Sequence, residues 1–239
     1  MDAAFRSPRP GEFDFIDFGA SKGGSLKWGS AVFGGRGIGV DNSAAKIAAL
    51  RAAGQQGVLA DASKLDLRAG SFRYATLMNF LEHLPDAKVG AAVIAQAIRV
   101  SRDFVYILGP NFDDLEYLEQ LGFKKFYAHW KGHRWHHTRA ELQAILDELK
   151  VRYRIVETER IKDSGHSYIH PLSAAGDRNH YDAAIDPPKP LVKFRRPVFG
   201  WIHAVIAIAP EIDCLDVLAP ALGFRMADAT PMAPSASQG

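Results

Sequence analysis

The stretch FDFIDFGASKGGS, Phe13 to Ser25, sets an apolar strand directly against a turn built from small residues. Glycine permits a sharp turn and lets backbone approach a ligand closely, so three glycines at Gly19, Gly23 and Gly24 mark a place where side chains would be in the way. The pattern then repeats. A helix is expected from Ser25 to Phe33, with Ser25 as its N-cap. A strand over Gly37–Val40 ends at Asp41, and a helix over Ser43–Ala53 stops at Gly54. A third strand over Gly57–Ala60 ends at Asp61, and a fourth runs over Phe72–Met78. A helix over Ala87–Arg99 leads to a fifth strand, Asp103–Leu108. Strands that alternate with helices, without regular polar alternation of their own, describe a parallel sheet covered on both faces.

The second half reads differently. A helix is expected over Phe112–Leu121, then a loop HWKGHRWHH, His129–His137. Thr138 with Glu141 forms a capping box for a helix over Arg139–Leu149. Strands follow over Val151–Arg160 and Trp201–Ala209. The polar, proline-rich connection between them, Lys162 to Pro197, is long enough to suggest a functional or surface-wrapping segment.

At 239 residues the chain can bury one sizeable core. We expect a single domain over residues 1–228, with a loose arm at 1–12, an insertion at about 162–197 and a disordered tail at 229–239. Net charge is +2, from 29 basic and 27 acidic residues, which argues against a dedicated nucleic-acid binder. The single cysteine, Cys214, permits neither an intrachain disulfide nor a thiolate metal cluster. No signal peptide is recognisable, and WIHAVIAIAP, residues 201–210, is too short to span a bilayer as a helix. A soluble cytoplasmic protein is the expectation. The sequence sets no oligomeric state.

Three features point to a bound nucleoside. The turn GASKGG lacks the strict G-x-G-x-x-G spacing, because Ser21 occupies the second position, and it lacks the GK[ST] of a P-loop. A cofactor without a pyrophosphate tolerates this looser pattern. Asp41 can accept hydrogen bonds from both hydroxyls of a ribose. Asp61, in LADAS, can reach an adenine amino group. Alone, either acid is equally well read as a cap for the turn or helix that follows it.

These motifs resemble those of the class I S-adenosylmethionine-dependent methyltransferases. DFGASKGGS is similar to their glycine-rich first motif, VDNS to the acidic end of their second strand, and LADAS to the adenine-side motif. MNFLEHLPD resembles the segment after the fourth strand in members acting on small molecules, lipids or sugars. The resemblance covers roughly residues 13–160. It implies a Rossmann-like three-layer α/β sandwich with a mostly parallel seven-stranded sheet whose last strand is antiparallel. It implies S-adenosyl-L-methionine as cofactor, held by Asp17, Gly19, Ala20, Ser21, Gly23, Asp41, Asn42, Asp61, Ala62, Asn79 and Phe80. Asp17 and Gly19 would lie near the methionine part, Asn79 and Phe80 beside the sulfonium.

Methyl transfer mainly requires alignment of two partners and sometimes removal of a proton. His83, with a suitable ordinary pKa, Glu82 and His137 are the candidates for that work. The loop His129–His137 invites a metal reading. Gly132 disfavours a helical histidine pair, and no carboxylate sits inside the cluster, so no metal is expected. Trp130 and Trp135 are read instead as an aromatic wall over the acceptor, with Lys131 and Arg134 able to hold an anion. GHSYIHP and DRNHYD, in the long connection, are candidate lid segments. The acceptor is expected to be a small molecule, saccharide or lipid, methylated at oxygen, and not nucleic acid, because MNFLEH stands where a base-flipping enzyme carries NPPY or DPPY. An NAD(P)-dependent oxidoreductase and a noncatalytic adenosyl-cofactor-binding protein are the alternatives.

Overall fold

The computed structural model describes residues 11–175 and 180–223. The expected loose arm and tail fall largely or wholly outside those residues, as does part of DRNHYD. Strand β1 is Phe15–Phe18 and is followed by helix α1, Gly24–Phe33. Strand β2, Gly37–Asp41, leads to α2, Ala44–Ala52, and β3, Gly57–Leu59. Strand β4, Phe72–Met78, is followed by α3, Ala87–Val100, and β5, Ser101–Pro110. Then come α4, Leu115–Gln120, β6, Phe123–Lys125, and α5, Arg139–Glu148. Strand β7, Arg152–Asp163, β8, Ile169–Pro171, β9, Lys193–Ala207, and α6, Cys214–Gly223, complete the described chain.

Seven strands form one sheet in the order β3-β2-β1-β4-β5-β9-β7. Pairing is parallel from β3 through β5, whereas β9 runs antiparallel to both β5 and β7. This is the Rossmann-like sheet with an antiparallel last strand that the sequence motifs imply. Its central strands bury both faces. Ile16, Phe18, Ala75, Leu77, Val105 and Ile107 meet α3 and its neighbours on one side, while Phe15, Tyr74, Tyr106 and Val205 meet α1 and α6 on the other. Phe15, Tyr74 and Phe104 stack as near-parallel rings across β1, β4 and β5, with centroids 4.7 and 4.9 Å apart. Such pairs add to the burial of their area.

Two expectations change. The connection after residue 162 carries strands at its two ends and at Ile169–Pro171. Strands β7 and β9 extend as a long pair beyond the central sheet, and β8 pairs with β6 in a separate two-stranded sheet. GHSYIHP therefore contributes a strand, with Ile169 and His170 buried. Helix α6 was not anticipated, because Pro220 sits inside it and proline reads as a helix breaker.

One buried histidine gives the fold a pH dependence. His203 on β9 contacts the Tyr106 hydroxyl at 2.8 Å through Nδ1 and the Thr158 hydroxyl at 2.9 Å through Nε2. Burial lowers its pKa from 6.5 to about 4. Its contribution is complete above 6.5 and is lost as pH falls toward 4, because the unfolded chain takes up a proton that the folded chain refuses. Between pH 6.5 and 5 this is about 2 kcal/mol. His203→Gln should lessen the stability lost between pH 7 and pH 5 by about that amount in urea unfolding. An unchanged loss would show that His203 does not carry it.

Candidate functional site

The carboxyl ends of β1, β2, β3 and β4 lie side by side, and the turns that follow them carry the candidate residues. Asp17 is fully buried in β1. Its carboxylate accepts from the Ser25 hydroxyl and, at 2.7 Å, from the Thr76 hydroxyl on β4. Burial pushes its pKa up to about 7, the two hydroxyls pull it down, and the charge of Asp41 raises it again. Gly23, not Ser25, caps α1, leaving the Ser25 side chain to serve Asp17. Asp17 thus clamps the glycine-rich turn to the start of α1 and to the neighbouring strand.

Gly19 has φ +76°, and a Cβ there would lie 2.2 Å from the Phe80 ring. Only glycine combines this backbone with that approach. Ala20 is buried behind it, and Ser21 adopts a left-handed backbone with φ 49°. The Ser21 N–H donates to Asp41 Oδ2 at 3.0 Å, and the Ser43 N–H donates to Oδ1 at 2.8 Å. The turn after β1 and the acid ending β2 are therefore one hydrogen-bonded unit. Lys46 Nζ lies 3.9 Å from the same carboxylate, and Asn42 is exposed beside it. Gly23, with φ +90°, backs against the Gln55 amide, which a Cβ there would push aside.

At the end of β3, Asp61 accepts from the Ser63 N–H at 2.9 Å and hydroxyl at 2.7 Å, with Lys64 Nζ at 3.2 Å. The Ser63 hydroxyl is the largest influence holding its pKa below the ordinary value. Asp61 caps its turn and presents Ala62, which is small and buried. At the end of β4, Asn79 takes φ 49° and its N–H donates to the Leu108 carbonyl at 2.7 Å. A non-glycine residue in this region is uncommon, and such positions cluster at functional sites.

Beyond Phe80 the chain meets the histidine-rich loop. The Glu82 carbonyl accepts from the N–H groups of Arg134 and Trp135, at 2.7 and 3.2 Å, tying the two segments together. Glu82 is 1% exposed, and among the described residues its Oε2 has no hydrogen-bond partner. Burial pushes its carboxyl up to about 8. His83 Nδ1 lies 2.9 Å from the Gly132 carbonyl, and His133 Nδ1 lies 3.0 Å from that of Tyr127. A carbonyl only accepts, so in both rings Nδ1 carries the proton and Nε2 presents its lone pair. Burial lowers the pKa of His83, and lowers that of His133 to about 3. His137 is fully buried; among the described residues neither ring nitrogen meets a partner in good hydrogen-bond geometry, and burial lowers its pKa to about 4 against a weaker opposing pull from the Trp135 backbone. Both His137 and Glu82 face the backbone of Gly109.

The structure thus brings Glu82 and His83 to one place and sets His137 behind them without access to solvent. It corrects the aromatic wall in one respect. Trp135 is core, packed so closely on α3 that a Cβ at Gly90 would lie 2.1 Å from its ring. Trp130 remains half-buried, edge-on to His83 and His133. Two contributors escaped the sequence reading. Thr76 is a hydroxyl in the otherwise apolar centre of β4, a signal that could have been read. His133 joins His83 only through the tertiary fold.

A methyltransferase domain family matches residues 16–103 of the chain. Among solved structures, a SAM-dependent methyltransferase from Archaeoglobus fulgidus is 18% identical, with a TM-score of 0.57 over 81% of this chain and 85% of that one. A SAM-dependent methyltransferase from Methanosarcina mazei is 16% identical, with a TM-score of 0.51 over 84% of this chain and 95% of that one. At these identities the likeness is one of fold. No curated protein matches the chain. Among the described residues no helix is long and apolar enough to cross a membrane.

Proposed function

We infer that this chain, an S-adenosyl-L-methionine-dependent methyltransferase by its domain match and its class I fold, transfers the methyl group to an oxygen of a small-molecule, saccharide or lipid-type acceptor. The observation that carries the cofactor assignment is the bond between the Ser21 N–H and Asp41. It joins the glycine turn and the acid into one cradle across adjacent strand ends, where open α/β sheets bind their ligands.

The residues fit the cofactor. Each Asp41 oxygen receives one backbone N–H and keeps further acceptor capacity for a ribose hydroxyl. Gly19 would lie near the methionine part, with the Gly19 and Ala20 N–H groups pinned to the Val40 carbonyl, Gly23 fixes the start of α1, and Asp17 holds this turn in place without facing solvent. Asn42, next to Asp41, would meet the ribose. Asp61 fixes the turn that carries Ala62, which would lie against the adenine. Asn79 and Phe80 would lie beside the sulfonium. When bound, the cofactor would supply an electrophilic methyl group, which an aligned nucleophile would take in line as the C–S bond breaks and S-adenosylhomocysteine leaves.

The remaining chemistry falls to the chain. His83 is neutral at physiological pH and its Nε2 lone pair can take the proton of an acceptor hydroxyl. The Glu82 backbone holds the histidine loop in register, and its side chain lies beside the ring of His83. His137, lacking solvent access, positions the wall behind Glu82 rather than touching the acceptor. The test is incubation with methyl-labelled S-adenosylmethionine and pooled acceptors sorted into hydroxylated metabolites, saccharides and lipids. Label is expected in an alkali-stable ether or an ester of one pool, with S-adenosylhomocysteine released one-for-one. Label found only on nitrogen would overturn the oxygen assignment.

A further inference from the structure

We propose that Glu82, His83 and His133 form a binding site for one divalent first-row transition-metal ion, open on one side to an acceptor oxygen. One ligand atom from each lies within 4.8 Å of the other two, close enough for a single ion to bridge them after small side-chain adjustments. The donor set, two imidazoles and a carboxylate, suits zinc and the neighbouring divalent ions and leaves coordination positions unfilled by protein.

Three observations support an ion rather than a chance cluster. The Glu82 carboxylate is almost wholly buried, and among the described residues its Oε2 has no hydrogen-bond partner. A buried carboxylate ordinarily finds a cation or donors. Both histidines hold Nδ1 against a backbone carbonyl, Gly132 for His83 and Tyr127 for His133. This outer contact fixes the tautomer and turns Nε2 outward in metal-binding histidines. Finally, the two halves of the site are bound to each other through the Glu82 carbonyl, which accepts from Arg134 and Trp135. The carboxylate that the sequence of the histidine loop lacks is thus supplied by the segment after β4.

The site adjoins Asn79 and Phe80, assigned above to the sulfonium. A bound cation there would hold an acceptor oxygen and favour its deprotonated form, replacing His83 as base because it would occupy the Nε2 lone pair. That catalytic role rests on the methyltransferase reading; the binding of the ion does not.

The test uses the full chain, stripped with chelator, in a Cys214→Ser background that removes the only thiol. Zinc is the probe because a nitrogen and oxygen site binds it at least as well as manganese or iron. Titration against a chromophoric chelator should show one tight equivalent. His133→Ala and Glu82→Gln should each weaken it by about a hundredfold. S-adenosylhomocysteine affinity, measured on the same samples, reports whether each variant is folded. Loss of zinc with homocysteine-adduct binding retained supports the site. No tight equivalent in the parent, or undiminished affinity in both variants, overturns it. A parent that binds zinc but no S-adenosylhomocysteine would keep the metal site and remove the methyl-donor reading.

Discussion

Lys125→Ala should cost about 3–5 kcal/mol of folding stability, the effect of stranding one charge of a buried pair. Lys125 has no exposed surface, and its ammonium lies 2.5 Å from Asp114. It also donates to the carbonyls of Asn111, at 2.8 Å, and Phe199, at 2.6 Å. Burial lowers the lysine pKa and raises that of Asp114, while each partner's charge opposes the shift of the other. Alanine would leave Asp114 and two carbonyls without this donor. The consequence reaches the site, because the Tyr127 hydroxyl shares the Asn111 carbonyl and the Tyr127 carbonyl holds His133. Lys125→Met with Asp114→Leu should recover much of the loss, since a buried pair is often replaceable by apolar residues. Urea unfolding of the parent and both variants checks this. A loss below about 1 kcal/mol for the single change would place Lys125 among exposed pairs of little consequence.

Asp41→Ala should weaken S-adenosylhomocysteine binding by about a hundredfold or more. Hydrogen bonds to a charged group contribute about 1.5–3 kcal/mol each, and two ribose hydroxyls would lose their acceptor. The change also releases the Ser21 and Ser43 N–H groups, so the cradle itself loosens. Asp41→Asn keeps an acceptor for one of them and should fall between the two. Calorimetric titration separates the cases, with unfolding curves to show that the fold survives. Binding within a few-fold of the parent would remove Asp41 from the ribose.

The first five strands and their acidic or small-residue ends were legible because a parallel sheet buries both faces of each strand. FDFIDF and FRYATLM are apolar enough to admit little else. Strand β7 was legible over nearly all its length, but β9 only from Trp201 onward. The residues beyond, such as Asp163 and Lys193, are polar and gain strand structure by pairing with each other. At the site, the glycine turn and the acids stood out only together, at successive strand ends, since Asp41 or Asp61 alone reads equally well as a cap. Glu82, His83 and His133 could not be joined, since sequence separation hides the tie from the Glu82 carbonyl to Arg134 and Trp135. For the same reason Trp135 looked like a binding surface, although it fills the space left by Gly90.

The most direct test of the account is calorimetric titration of the parent protein with S-adenosylhomocysteine, with NAD run in parallel. The account predicts one-to-one binding of S-adenosylhomocysteine at micromolar affinity and no measurable heat with NAD. Clear NAD binding without S-adenosylhomocysteine binding would contradict it.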